Sequence, residues 1–169
     1  MYKVGDYIVY KRDVCKVKEI KEKYYNNTDY YVLNPISDLS LKINVPVNND
    51  KLLRPLITEE EVHLIINSIP NIDIIDEDDR ILEVIYKDLL KSEKHEDLIK
   101  IIKTTYLRNK TRVDSDKKIS EKDDTYFKLA EKLLYTEFSV VLNKSFEDTK
   151  NYVISEVEKL AYKIETNVK

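Results

Sequence analysis

The 169-residue chain predicts an α+β protein: a small antiparallel β domain over residues 1–56, then an all-α helical domain over residues 57–169. Three observations predict it. Short Val-, Ile- and Tyr-rich segments divided by turn residues fill the first third of the chain. From Thr58 onward, apolar residues recur every three to four positions. The chain also holds one glycine, Gly5, and no tryptophan. That leaves no Gly-rich loop to cradle a phosphate, which argues against Rossmann and P-loop enzymes. With 42% hydrophobic and 36% charged residues, there is enough apolar material for a core, so wholesale disorder is not expected.

The β segments are Asp6–Tyr10, Val14–Ile20, Tyr30–Leu33 and Leu41–Val47. In the second, Cys15 and Val17 alternate with Lys16 and Lys18, the period of a half-buried strand. Turn chemistry at Lys11–Asp13, Tyr25–Asp29, Pro35–Asp38 and Asn48–Asp50 separates them. Four or five short strands in so few residues predict a strongly bent barrel of the SH3/Tudor-like kind. Pro46 removes a ladder donor, so its strand lies at an edge or ends there.

Thr58-Glu59-Glu60-Glu61 is a capping box that opens the first helix, with Val62, Ile65, Ile66 and Ile69 inward and Pro70 closing it. A second helix is expected from about Asp78 to Lys91, burying Ile81, Leu82, Ile85 and Leu89. A third runs from Glu96 to about Lys110 on Leu98, Ile101, Ile102 and Tyr106. Ser120-Glu121-Lys122-Asp123 signals the start of a long fourth, with Asp123 standing where a capping box prefers Glu. Ser145 begins the last, which carries Phe146, Val153, Val157, Leu160 and Ile164. Five such stripes predict a bundle with its own core.

Charge divides unevenly. Residues 1–56 hold 10 Lys/Arg and 7 Asp/Glu, whereas the remainder holds 19 and 25, so the helical part is acidic. Within it, Lys103 to Lys118 reverses the sign: six basic residues face only Asp114 and Asp116. The acidic balance weighs against generic nucleic-acid binding, and the basic run marks one local exception.

No catalytic constellation emerges. His63 and His95 lack metal-ligand spacing and read as exposed or capping residues. Cys15 stands alone, which excludes a disulfide scaffold and suits a small buried hydrophobe. Asp76-Glu77-Asp78-Asp79 lacks the glycine and final carboxylate of an EF-hand loop and reads as support for a helix N-terminus. Thirteen tyrosines, several interleaved with lysines, could stack on single-stranded bases, although strand packing explains most of them. The chain therefore reads as a binding protein, not an enzyme, with no cofactor, metal or small-molecule ligand expected. No stretch reaches about 18 apolar residues and Met1–Asp6 is not a signal segment, so a soluble cytoplasmic protein with no membrane partner is expected.

The order of segments is itself informative. Val4-Gly5-Asp6-Tyr7-Ile8-Val9-Tyr10, Val14-Cys15-Lys16-Val17, Tyr30-Tyr31-Val32-Leu33 and Ile43 to Asn49 resemble the start of the CarD/CdnL family of bacterial transcription regulators. That family's Tudor-like N-terminal module is shared with the transcription-repair coupling factor. Leu53 to Glu61 resembles its interdomain junction and Ala130 to Phe138 its late helix, so the likeness reaches about Val157. The resemblance implies a non-enzymatic factor. Its N-terminal module would pair a strand with the β-subunit lobe of RNA polymerase, and its helical domain would touch promoter DNA at the upstream edge of the melted region.

By position, the resemblance puts polymerase-facing residues at Lys23 and Asn44, with Lys42 restoring the charge that Asn44 lacks. Lys42, Ile43, Asn44 and Val45 would form the augmenting strand. DNA contact would fall to Arg80, Arg108, Lys110, Arg112, Lys117 and Lys118, and would be weak and not sequence-specific. The family's wedge tryptophan has no counterpart, its place falling near Asp78. The alternative function is a protein-interaction adaptor that makes no DNA contact.

Overall fold

A computed structural model describes residues 1–49 and 51–167. The chain divides into two compact units, Met1–Ile57 and Thr58–Lys169.

The first unit is one antiparallel sheet of five strands: β1 (Tyr7–Tyr10), β2 (Asp13–Tyr25), β3 (Thr28–Pro35), β4 (Ile43–Pro46) and β5 (Leu53–Pro55). Their order across the sheet is β4-β3-β2-β1-β5. The sheet does not close, and this corrects the expected SH3/Tudor-like barrel. Closure would need the two edge strands β4 and β5 to pair, and among the described residues no pairing joins them. The physical reason lies in two prolines and in length. The Val47 N–H donates to the Asp29 carbonyl, and Tyr30 lies opposite Pro46. Since bonded pairs alternate along an antiparallel ladder, Asn44 and Pro46 turn their backbone groups away from β3. By the same alternation from the Lys11 N–H to Leu52 C=O bond, Pro55 turns outward from β1. Short edge strands that each lack an outward donor make poor closing partners.

Local chemistry sets the turns. Asn26 and Asn27, both at positive φ, form the two-residue β2–β3 turn, the geometry that matches strand twist. Gly5 sits at φ +98°, and its N–H donates to the Val17 carbonyl at 2.8 Å. Nothing lies near where a Cβ would stand, so the glycine is needed for backbone conformation and not for space. The core of the unit joins Ile8, Cys15, Val17, Tyr31, Leu33, Val45 and Leu53, with Tyr2, Tyr10 and Ile20 packed against it. Burial holds the Cys15 thiol up to about 11, out of reach of thiolate chemistry at neutral pH.

The second unit is helical: α1 (Glu59–Ser68), a 3-10 turn at Ile69–Asn71, α2 (Asp79–Lys91), α3 (His95–Asp114), α4 (Glu121–Val141) and α5 (Phe146–Asn167). Thr58 completes its capping box, with Glu61 N–H donating to Thr58 Oγ1 and Thr58 N–H to Glu61 Oε2. In α2 the buried stripe is Leu82, Tyr86 and Leu90, with Ile81 exposed, so the inward face is rotated from the expected Ile81, Leu82, Ile85 and Leu89. Helix α3 continues four residues beyond the expected end, carrying Lys103 to Arg112 on one helix. Its Tyr106, expected inward, is exposed, and Thr104 and Thr105 are buried in its place. Among the described residues, no helix is long and apolar enough to cross a membrane.

Candidate docking edge and basic surface

The sheet edge at β4 is assembled from its neighbours. Asn34, nearly inaccessible on β3, donates through Nδ2 to the carbonyls of Leu41 at 2.6 Å and Leu39 at 3.2 Å, which fixes the loop leading into β4. Val45 then packs into the core and Ile43 against it, while Asn44 is exposed. The outward backbone groups are the N–H and C=O of Asn44 and the C=O of Pro46. Lys42 is exposed just before the strand. Lys23 sits where the β2–β3 register shifts, at φ 47°, and its N–H donates to Asp29 Oδ1 at 2.8 Å. The Asp29 carbonyl accepts from Val47, so one residue ties the Lys23 bulge to the end of β4. Ile43, Asn44 and Val45 thus lie on the β4 edge with Lys42 just before it, whereas Lys23 lies on β2, with β3 between that strand and the edge.

In the helical unit, the predicted basic residues meet different fates. Asp78 is the N-cap of α2, accepting the Arg80 N–H at 2.9 Å. The exposed Arg80 guanidinium doubles back on the same carboxylate with two contacts of 3.0 Å, which lowers the Asp78 pKa. Arg108 turns inward. Its Nε donates to Asp123 Oδ2 at 2.9 Å and its other arm holds Asp79. Asp123, wholly buried, also accepts the hydroxyl of the wholly buried Tyr86 at 3.2 Å. Burial together with the Asp123 charge pushes the Tyr86 phenol far above its usual range. Lys122 reaches the Asp79 carbonyl, so this network braces α2, α3 and α4.

The α3–α4 loop is equally tied down. Arg112 Nε donates to the Lys118 carbonyl at 2.7 Å, Lys117 N–H to the Arg112 carbonyl at 2.8 Å, and Ser120 N–H to Asn109 Oδ1 at 2.8 Å. Asp116 supplies the turn at φ 57°. Lys110 lies 3.8 Å from Asp114, and both are solvated. Lys103, counted in the basic run, donates to the carbonyls of Ile69 and Ile72, and burial lowers its pKa. Lys117 and Lys118 stand exposed on the bonded loop.

Two further residues, Tyr86 and His95, help to hold the helical unit together. Tyr86 lies at four-residue spacing from Leu82 and Leu90, a signal the sequence itself carries. His95 is neither exposed nor a cap: its Nε2 lies 2.8 Å from the buried Glu137 and its ring stacks on Phe138. Forty-two positions separate the pair, so no local signal announces it. Among the described residues, no group of three or more His, Cys, Asp or Glu could hold a metal ion.

Comparison with known proteins bears on the first unit. Among curated proteins, none matches the chain. The family model of the CarD-like/TRCF RID domain matches residues 2–57, about a third of the chain, and does not extend into the helical unit. The open sheet and its β4 edge therefore lie within a stretch similar to CarD-like/TRCF RID domains.

Proposed function

We propose that this chain regulates transcription by docking on the β-subunit lobe of RNA polymerase and modulating initiation and open-complex stability at promoters. The observation that carries the proposal is the RID-domain match over residues 2–57, which contains the whole β4 edge. Docking is by strand addition. Asn44 exchanges the backbone bonds, the carbonyl of Pro46 accepts one more, and Ile43 and Val45 hold the strand down by inward packing. Lys23 and Lys42 supply positive charge for an acidic partner. The test is binding of the full chain to an isolated β-lobe fragment. Association at about micromolar concentration is expected, weakened about tenfold or more by Asn44→Pro, which removes the one outward donor. Failure of the wild type to bind defeats the reading.

In the same proposal, the helical unit meets DNA phosphates weakly and without base readout, through Lys117 and Lys118 and, once their local bonds yield, Lys110, Arg112 and Arg80. Arg108 acts as a brace that holds this surface in place. The second reading, an adaptor with no DNA contact, has its own support: Arg80 and Arg108 are engaged within the chain, and Asp78 caps a helix where the family places its wedge. Polymerase complexes on fork-junction DNA separate the two. If DNA is met, Lys117→Glu with Lys118→Glu shortens the complex lifetime and lowers the salt slope by about one per lost contact. An unchanged lifetime and slope select the adaptor.

A further inference from the structure

The loop between β3 and β4, residues 36–42, carries two exposed leucines beside the docking edge. Leu39 is 70% exposed and Leu41 48%. Single leucines on a surface are ordinary, and exposure alone points to nothing. What sets this pair apart is how firmly its backbone is held. Asn34, buried on β3, donates through Nδ2 to the carbonyls of these same two residues. Asp38 closes the turn around them. Its Oδ1 accepts from the Ser40 N–H at 3.0 Å and the Ser40 hydroxyl at 2.6 Å, and its carbonyl accepts from the Leu41 N–H at 3.2 Å. The Asp38 N–H donates in turn to the Pro35 carbonyl at 3.2 Å.

A loop that only joined two strands would be served by small polar residues throughout. Here a buried amide and a turn carboxylate order the backbone, and the residues so ordered keep apolar area in water. A contact surface arranged in advance loses less entropy when a partner arrives. Position says what the partner is. Ile43, two residues after Leu41, begins β4, and Asn44 next to it offers the outward N–H and C=O. At about 3.3 Å per strand residue, Leu41 lies within about 10 Å of those groups. A strand paired with Asn44 therefore comes alongside Leu41 once it extends about three residues toward the loop. The exposed Lys42 stands between the leucine and the strand.

We propose that Leu39 and Leu41 form an apolar seat for one aliphatic or aromatic side chain of the strand that docks on β4, with Lys42 meeting a carboxylate beside it. The seat rests on the docking reading above and adds a specificity determinant to it. Backbone bonds at Asn44 accept any extended segment, whereas the seat selects one with an apolar residue at its loop end. Asn34 and Asp38 are positioning residues that act through the two leucines.

The experiment is titration calorimetry of the full chain with the isolated β-lobe fragment at low and moderate salt. Leu39→Ser is the leading variant, because a side chain so exposed contributes little to the fold. It weakens binding about five- to tenfold, equally at both salts, since apolar contact is not screened. Leu39→Met retains binding, and Leu41→Ser acts in the same direction as Leu39→Ser. The loss caused by Lys42→Ala fades as salt rises. Far-UV circular dichroism and thermal unfolding show the sheet of Leu39→Ser unchanged. A wild type that binds the lobe, with Leu39→Ser and Leu41→Ser binding as tightly, overturns the seat and leaves the docking reading standing. A wild type that does not bind removes both. Weakened binding matched by a comparable fall in thermal stability overturns the seat by making Leu39 structural. A wild-type dimer in sedimentation that Leu39→Ser dissolves overturns it by giving the patch to a second copy.

Discussion

Replacing Asp123 by alanine tests the brace between α2, α3 and α4. The carboxylate is wholly buried and takes two bonds, from Tyr86 Oη at 3.2 Å and Arg108 Nε at 2.9 Å. Alanine leaves the phenol of Tyr86 buried without its acceptor, a loss of about 1–3 kcal/mol. Arg108 loses its inner partner as well. A fully buried pair broken on one side costs about 3–5 kcal/mol, but the Arg108 side chain is 33% exposed and keeps Asp79, so the lower part of that range or less applies. A total of about 3 kcal/mol follows. Urea unfolding of the helical unit, followed by circular dichroism at helical wavelengths, should show its midpoint falling by about 1–2 M with unchanged slope. The control is Asp124→Ala, which removes a surface pair with Lys128 at 2.7 Å and should cost under about 1 kcal/mol. If Asp123→Ala is no more damaging than this neighbour, the network is ornamental and Arg108 is free to serve elsewhere.

Two other outcomes follow from the same physics. Gly5→Ala should destabilise the sheet unit by about 1–2 kcal/mol in thermal unfolding, from the positive φ alone, since no atom obstructs the added methyl. Tyr135, buried beside Glu131, has its phenol pushed up to about 12, above its unfolded value near 10. Its protonated form is therefore favoured in the fold: the stabilisation is whole below about pH 10 and is lost as pH climbs to about 12, amounting to about 3 kcal/mol. Denaturation measured across that window should show the decline in wild type and a shallower one in Tyr135→Phe.

Much of the secondary structure was written in local patterns. The Thr58 capping box, the Asn26-Asn27 turn and the start of α4 at Ser120 each depend on residues within a few positions of one another. What local pattern could not carry was pairing over distance. β5 is three residues long and has no period to read, and the end of β2 from Lys21 to Tyr25 extends as a polar hairpin beyond the apolar alternation. Barrel closure depends on which strands meet, and the outward prolines decide that only once the bonding phase of the ladder is known. The basic run shows the same boundary. Its six charges are visible in sequence, yet Lys103 caps carbonyls, Arg108 serves Asp123 and Asp79, and Arg112 holds its own loop. The count was legible, and the availability of each charge was not. Asp123 is the sharpest instance. Too short to complete a capping box as glutamate does, it turns to Tyr86 and Arg108, while the Ser120 N–H goes to Asn109.

The outward-turned prolines of β4 and β5 also bear on how the molecule behaves when crowded. An unpaired strand edge recruits strands indiscriminately, including those of identical copies, and an unbroken ladder of donors and acceptors lets such additions propagate into fibrils. Here each edge lacks a donor at the place where a second copy would seek one, Pro46 on one side and Pro55 on the other. Both edges are thus poor templates for endless self-addition, so replacing Pro46 by a β-former is expected to raise aggregation.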